Sequence, residues 1–118
     1  MKNDNDTTIK ELKRLLMKFR DERGWKEFHT PKNLAQALSV ESSELMELLL
    51  WRKDAQIAEA LRKDEFREKV EDEIADIICY CLNFANSADI DVARAVVRKI
   101  GKNARKYPIE NAKLGDLK

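Results

Sequence analysis

The sequence is poor in the residues that build turns and in those that bind soft metals. It holds 3 Gly and 2 Pro, too few for the tight turns of a β-rich domain. It holds a single His, His29, so the Glu-x-x-His pairs of a di-iron bundle are excluded. Its 2 Cys, Cys79 and Cys81, lie two apart inside a helical pattern, where their side chains diverge. With no third Cys to pair with, they read as reduced thiols of a cytoplasm-like compartment. Net charge is only +1, so no global field draws the chain to nucleic acid or to an anionic membrane. No apolar run approaches the roughly 20 residues of a membrane span. The opening "MKNDNDTT" has no apolar core and does not read as a signal peptide. A cytoplasmic location is therefore expected.

What is present is 43% hydrophobic and 38% charged residues in a 118-residue chain. That describes one globular domain, 1–118, with a polar tail at 110–118. Helix signals run the length of it. "TIKE" at Thr8–Glu11 is a capping box. Ile9, Leu12, Leu16 and Phe19 form the apolar face that follows, and Gly24 ends the helix. The short connection "WKEFHTP" leads to Thr30 and Pro31, which suit the N-cap and first turn of a second helix running to about Trp51. Asp54 is expected to cap a short amphipathic segment. Asp64 opens a long helix over about 65–87. Asp91 caps the last helix, which stops near Tyr107 because Pro108 follows. These signals predict an all-α bundle of four main helices with a short connecting helix. The 65–87 helix is apolar all round past residue 74, which predicts burial on several sides, including against a second subunit. A homo-oligomer is expected, either a dimer or a dimer-based tetramer.

Two helices break their own pattern. At about 100° per residue, Leu34, Leu38, Leu45 and Leu48 share one face of the second helix, and Glu41 falls in the middle of it. Glu44 lies about 60° to one side. In the 65–87 helix the stripe is Phe66, Val70, Ile77 and Phe84, and Glu73 projects between Phe84 and Tyr80, inside it. Asp76 is again about 60° to the same side. One acid pair three residues apart is ordinarily a solvated surface feature, and the acids Glu22, Glu59, Glu68 and Asp72, which fall off the stripes, keep that solvated reading. Two pairs that intrude on apolar stripes with the same offset do not. Like charges at that spacing repel, and burial worsens the repulsion unless a cation sits between them. Carboxylate oxygens suit Mg²⁺, or Mn²⁺, rather than Zn²⁺. Mg²⁺ keeps positions open for water and phosphate oxygens, so the implied ligand is phosphorylated. Near the pairs, Trp51 and Tyr80 offer flat surfaces on which a nucleobase can stack, although each is as readily a core residue.

The runs "FRDERGWKEFHTPKNLAQALSVESSELMELLLW" and "EIADIICYCLNFANSADIDVARAVVRKIGKNARKYP" closely resemble the MazG-like all-α nucleoside triphosphate pyrophosphohydrolases, in their dCTP pyrophosphatase branch. The family's Glu-x-x-Glu and Glu-x-x-Asp motifs fall on Glu41 and Glu44, then Glu73 and Asp76. The resemblance implies Mg²⁺ on these four acids. It also implies hydrolysis of a (d)NTP such as dCTP or dATP to the monophosphate and pyrophosphate, a house-cleaning reaction. Glu41 or Glu44 is then the catalytic base. Lys99 and Asn103, four apart on one helix face, match phosphate-side positions, and Arg105 is a further candidate there. His29 matches a base-pocket position, with Trp25, Trp51 and Tyr80 as its companions. The segment "VESSEL" departs from the Gly-type residues usual between the glutamates, though Ser42 and Ser43 are small enough to keep the helix. The rival class is a dimeric helical module that turns its basic last helix toward nucleic acid or a protein. The near-neutral charge and the lack of a separate basic face weigh against a nucleic-acid partner.

Overall fold

The computed structural model describes residues 2–112, so residues 113–118 of the expected tail lie outside it. The described residues form helices and turns with no strand, which establishes the all-α class. In order these are α1 (Ile9–Glu22), a 3₁₀ turn (Lys26–Phe28), α2 (Pro31–Leu49), α3 (Asp54–Ala60), α4 (Asp64–Ala88), α5 (Val92–Lys106) and a short α6 (Ile109–Ala112). None is long and apolar enough to cross a membrane. The first described residues of the expected tail are thus α6.

The helix boundaries follow local chemistry. Thr8 caps α1 by accepting the Glu11 N–H at 3.1 Å. Gly24 supplies the left-handed residue after it, at φ 65°. Thr30 caps α2 through the Asn33 N–H, and Pro31 holds the first helical position. Ser42 and Ser43 return their hydroxyls to the carbonyls of Leu38 and Ser39 at 3.0 and 3.1 Å, so the "VESSEL" segment stays helical. One cap differs from expectation. Asp54 is the first residue of α3, not its cap; Lys53 holds the cap position. Lysine has no acceptor to offer, so the capping bond comes from the other side, with Gln56 Oε1 accepting the Lys53 N–H at 2.8 Å. Asp54 instead favours the positive end of the helix dipole. Asp91 caps α5 by accepting the Arg94 N–H at 3.0 Å.

The chain divides after Ala88 into two compact units. In the first, α2 packs along α4 and α1 packs against α4. Asn86 Nδ2 ties α4 to α1 by donating to the Lys13 carbonyl at 3.1 Å. The apolar centre is small: Leu34, Leu82 and Ala85 are each 3% exposed. Replacing Leu82 by Ala is expected to cost about 2–5 kcal/mol of unfolding free energy, measured by urea titration, because it removes a buried side chain from the centre and leaves a cavity. A cost below about 1 kcal/mol would show that Leu82 is not a core residue.

The expected burial of α4 on several sides past residue 74, partly against a second subunit, is met within this chain on only part of the helix. Ile74 and Ile78 are 43% and 46% exposed, and Cys81 is exposed. Two helices, α1 and α2, are the principal cover of α4, and its remaining flank stays open. Both cysteines are free. The second unit holds α5 and α6. Its long helix is strongly amphipathic and leaves Val96, Val97 and Ile100 exposed.

Candidate active site

The acids that interrupt the two stripes meet where α2 lies along α4. One carboxylate oxygen each from Glu41, Glu73 and Asp76 lie within 4.8 Å of one another. Glu41 and Glu73 are half-buried and Asp76 is exposed, so the cluster opens to solvent on the Asp76 side. Glu41 Oε2 and Glu73 Oε2 are sealed from solvent and have no hydrogen-bond partner. Sealed carboxylate oxygens without donors are unfavourable, and a cation would satisfy them. The donor set is oxygen alone, which suits a hard divalent ion.

The electrostatics agree. Burial, with the carboxyls of Glu44 and Glu73 and the charge of Asp76 close by, pushes Glu41 up from 4.5 to about 7. Burial also raises Glu73, with Glu44 and Asp76 adding to the effect and Glu41 opposing it. Glu44 is exposed and stands outside the three-oxygen cluster, yet its charge acts on both buried glutamates. Tyr80 lies one helical turn beyond Asp76 on α4, and its hydroxyl is raised by burial and then by Glu41, Asp76, Cys79 and Glu44.

The raised Glu41 has a definite consequence without metal. Below about 4.5 the carboxyl is protonated in both folded and unfolded chains; between 4.5 and about 7 the folded chain holds the proton more tightly. The stability this contributes is present at acid pH and is lost as pH rises through about 7. In chelator, the melting temperature of Glu41→Gln should therefore gain on that of the wild-type chain between pH 5 and pH 8, ending neutral or higher. A clear loss at pH 8 would instead mark Glu41 as a hydrogen-bonded structural residue.

The other candidates lie elsewhere. His29 follows the 3₁₀ turn, and Asn33 Nδ2 pins that turn to α2 by donating to the Phe28 carbonyl at 3.1 Å. His29 Nδ1 is sealed and has no partner. Burial first, and then the positive charge of Arg20, lower the His29 imidazole and keep it neutral. Trp25 meets Phe19 edge-on at 5.8 Å. Trp51 is 90% exposed, and with Arg52, Gln56, Lys63 and Phe66 it lines a groove of about 640 Å³ that the acids do not line. Lys99, Asn103 and Arg105 all belong to α5, in the second unit. Lys99 and Asn103 share a face, whereas Arg105 is turned about 120° away from Lys99. Sequence reading missed Arg20, which is 8% exposed. The signal was available: Arg20 projects about 20° from Ile9 and about 40° from Leu16, inside the apolar stripe of α1.

The described residues define the class: an all-α protein with a half-buried carboxylate cluster across two packed helices. The chain belongs to the MazG-like family, whose model matches residues 37–117. Over 104 residues it is 34% identical to dCTP pyrophosphatase 1 of Rattus norvegicus, which covers 88% of this chain and 61% of the relative. Over 113 residues it is 32% identical to dCTP pyrophosphatase 1 of Homo sapiens, covering 96% and 66%. The chain thus spans about three fifths to two thirds of the length of these curated relatives. The crystal structure of a pyrophosphatase from Archaeoglobus fulgidus superimposes with a TM-score of 0.79 at 41% identity, covering 92% of this chain and 99% of that one.

Proposed function

We propose that this chain is a metal-dependent nucleoside triphosphate pyrophosphohydrolase acting on dNTPs. The observation that carries the reading is the cluster of Glu41, Glu73 and Asp76 carboxylates, in which Glu41 and Glu73 each keep a sealed, unpartnered oxygen. The similarity to dCTP pyrophosphatases supports a deoxynucleotide substrate. Glu41, Glu73 and Asp76 would hold the ion, and Glu44 completes the set of four. Mg²⁺, with Mn²⁺ as a substitute, would neutralise phosphate charge and acidify a water there.

The chain's own groups supply the rest. Water attacks the α-phosphorus, the bond to the β-phosphate breaks, and the products are the monophosphate and pyrophosphate. Glu44, exposed at the edge of the cluster, or Glu41, whose carboxyl titrates near neutral pH, takes the proton of that water. Lys99 and Asn103, on one face of α5, are assigned to phosphate oxygens. Arg105 is a weaker assignment because the helix turns it away from them. Tyr80, beside the acids, and His29 with Trp25 are assigned to the base. Trp51 is assigned to it through the resemblance alone, since its groove is lined by α3. The open flank of α4 at Ile74 and Ile78 supports a homo-oligomer, a dimer or dimer-based tetramer, in which a second copy covers it.

The test is product identification by ³¹P NMR with each dNTP in Mg²⁺. Monophosphate and pyrophosphate are expected. Diphosphate and orthophosphate would move the attack to the γ-phosphorus, and no turnover of any nucleotide would favour a binding module.

A further inference from the structure

The acid cluster leaves unexplained the charged residue that is buried in α1. Arg20 is 8% exposed. A guanidinium carries five donors in a fixed fork, and removing it from water is costly unless they are used. Arg20 Nε donates to Asp21 Oδ1 at 2.9 Å. Its two terminal nitrogens have no hydrogen bond or ion pair among the described residues. Asp21 is its sequence neighbour and is 56% exposed at the side chain. The terminal nitrogens are not among the sealed polar atoms, so they stand at the solvent edge of an otherwise buried side chain, unpaired and open to a ligand.

The surroundings narrow what those donors await. The Trp25 N–H donates to the Arg20 carbonyl at 3.0 Å, which folds the chain back over the end of α1. The turn that follows delivers His29, whose Nδ1 is sealed and unpartnered and whose ring is kept neutral by burial and by the Arg20 charge. Trp25 and Phe28, on the same turn, are 44% and 60% exposed, large for aromatic residues. A bare phosphate would use the cation but not a neutral imidazole or open aromatic surface. A flat heterocycle with a carbonyl oxygen beside a ring nitrogen would use all three.

We propose that Arg20 is a base-reading residue, whose free guanidinium nitrogens donate to the carbonyl oxygen of a nucleobase held beside His29 and select oxo-bearing bases over adenine. This rests on the reading of the chain as a dNTP enzyme with His29 at the base. Guanidinium donors to a carbonyl discriminate strongly because adenine, which has no such oxygen, leaves them unpaired.

The experiment compares kcat/KM for dTTP, dCTP and dATP in the wild-type chain and in Arg20→Met. The ratio of the oxo-bearing substrates to dATP should fall about 10–100-fold. Arg20→Lys keeps the charge but loses the fork, and should give an intermediate ratio. It also serves if Arg20→Met does not fold. Equal losses on all three substrates would make Arg20 a structural residue, and unchanged ratios would remove it from the base; either overturns the proposal. Inhibition by inorganic tripolyphosphate separates the two sources of an acceptor oxygen. If Arg20→Met weakens it as much as it weakens dTTP, Arg20 binds phosphate and the proposal fails. If the wild-type chain turns over no dNTP, or dATP is not hydrolysed, the His29 imidazole is followed by NMR with thymidine and with deoxyadenosine. A thymidine-specific shift lost in Arg20→Met supports the proposal, and the same response to both nucleosides contradicts it. Failure of the enzymatic reading thus appears as absent turnover, and failure of the Arg20 reading as an unchanged preference.

Discussion

Glu73→Gln is expected to abolish the proposed pyrophosphate release, lowering kcat by about a thousandfold or more while the chain keeps its helical content, and Glu41→Gln is expected to do the same. The amide is nearly the shape of the carboxylate, so packing between α2 and α4 is preserved. What changes is charge and donor chemistry. Glu41 Oε2 and Glu73 Oε2 are sealed without partners, and each residue contributes a carboxylate oxygen to the same small cluster as Asp76. An amide there offers one weaker acceptor and introduces N–H donors that repel a cation. The expected pattern is a collapse of kcat together with a raised Mg²⁺ requirement. Steady-state pyrophosphate assays over a range of Mg²⁺ measure both. A Glu73→Gln chain with near-normal kcat at ordinary Mg²⁺ would remove the cluster from the chemistry. Neutralising exposed Glu59 or Glu68 should change neither quantity noticeably, because they stand on solvated faces.

Chelation should be as severe. Dialysis against a chelator is expected to take turnover below detection. Mg²⁺ or Mn²⁺ should restore it, because hard ions fit an all-oxygen set. The same addition should raise the melting temperature most at pH 8 and least near pH 5. At pH 8 the glutamates are pressed to ionise against one another, and a cation relieves that pressure. At pH 5 Glu41, with its titration near 7, still holds its proton and competes with the ion. Equal stabilisation at both pH values would mean that the ion binds somewhere other than at Glu41.

Much of this site was legible because helix periodicity is local. Glu41 and Glu73 stood out as charges on apolar stripes, and the structure brings them together with Asp76 for the same reason: each stripe is the seam between α2 and α4. Glu44 was read as an equal member of the set. Asp76 has the same 60° offset and is likewise exposed, yet its oxygen reaches the cluster while Glu44 remains an electrostatic neighbour, a difference helix periodicity does not carry. Arg20 obeys the same arithmetic: it is a cation on the apolar stripe of α1, as Glu41 and Glu73 are anions on theirs. The Asp54 cap failed for another reason. Whether a cap bond comes from the cap residue or from three residues ahead depends on side-chain reach, and Gln56 reached first. The exposure of Ile74, Ile78 and Trp51 was beyond any periodicity, because an apolar stripe records that a face is to be covered and not by what.

The central claim is that the acids of α2 and α4 form a divalent-cation site, and Mn²⁺ binding followed by electron paramagnetic resonance tests it most directly. The wild-type chain should take up Mn²⁺ without any nucleotide, Mg²⁺ should displace it, and Glu73→Gln should lose it while Glu68→Gln retains it. Retention of Mn²⁺ by a Glu41→Gln, Glu73→Gln double variant, or no uptake by the wild-type chain, would contradict the account.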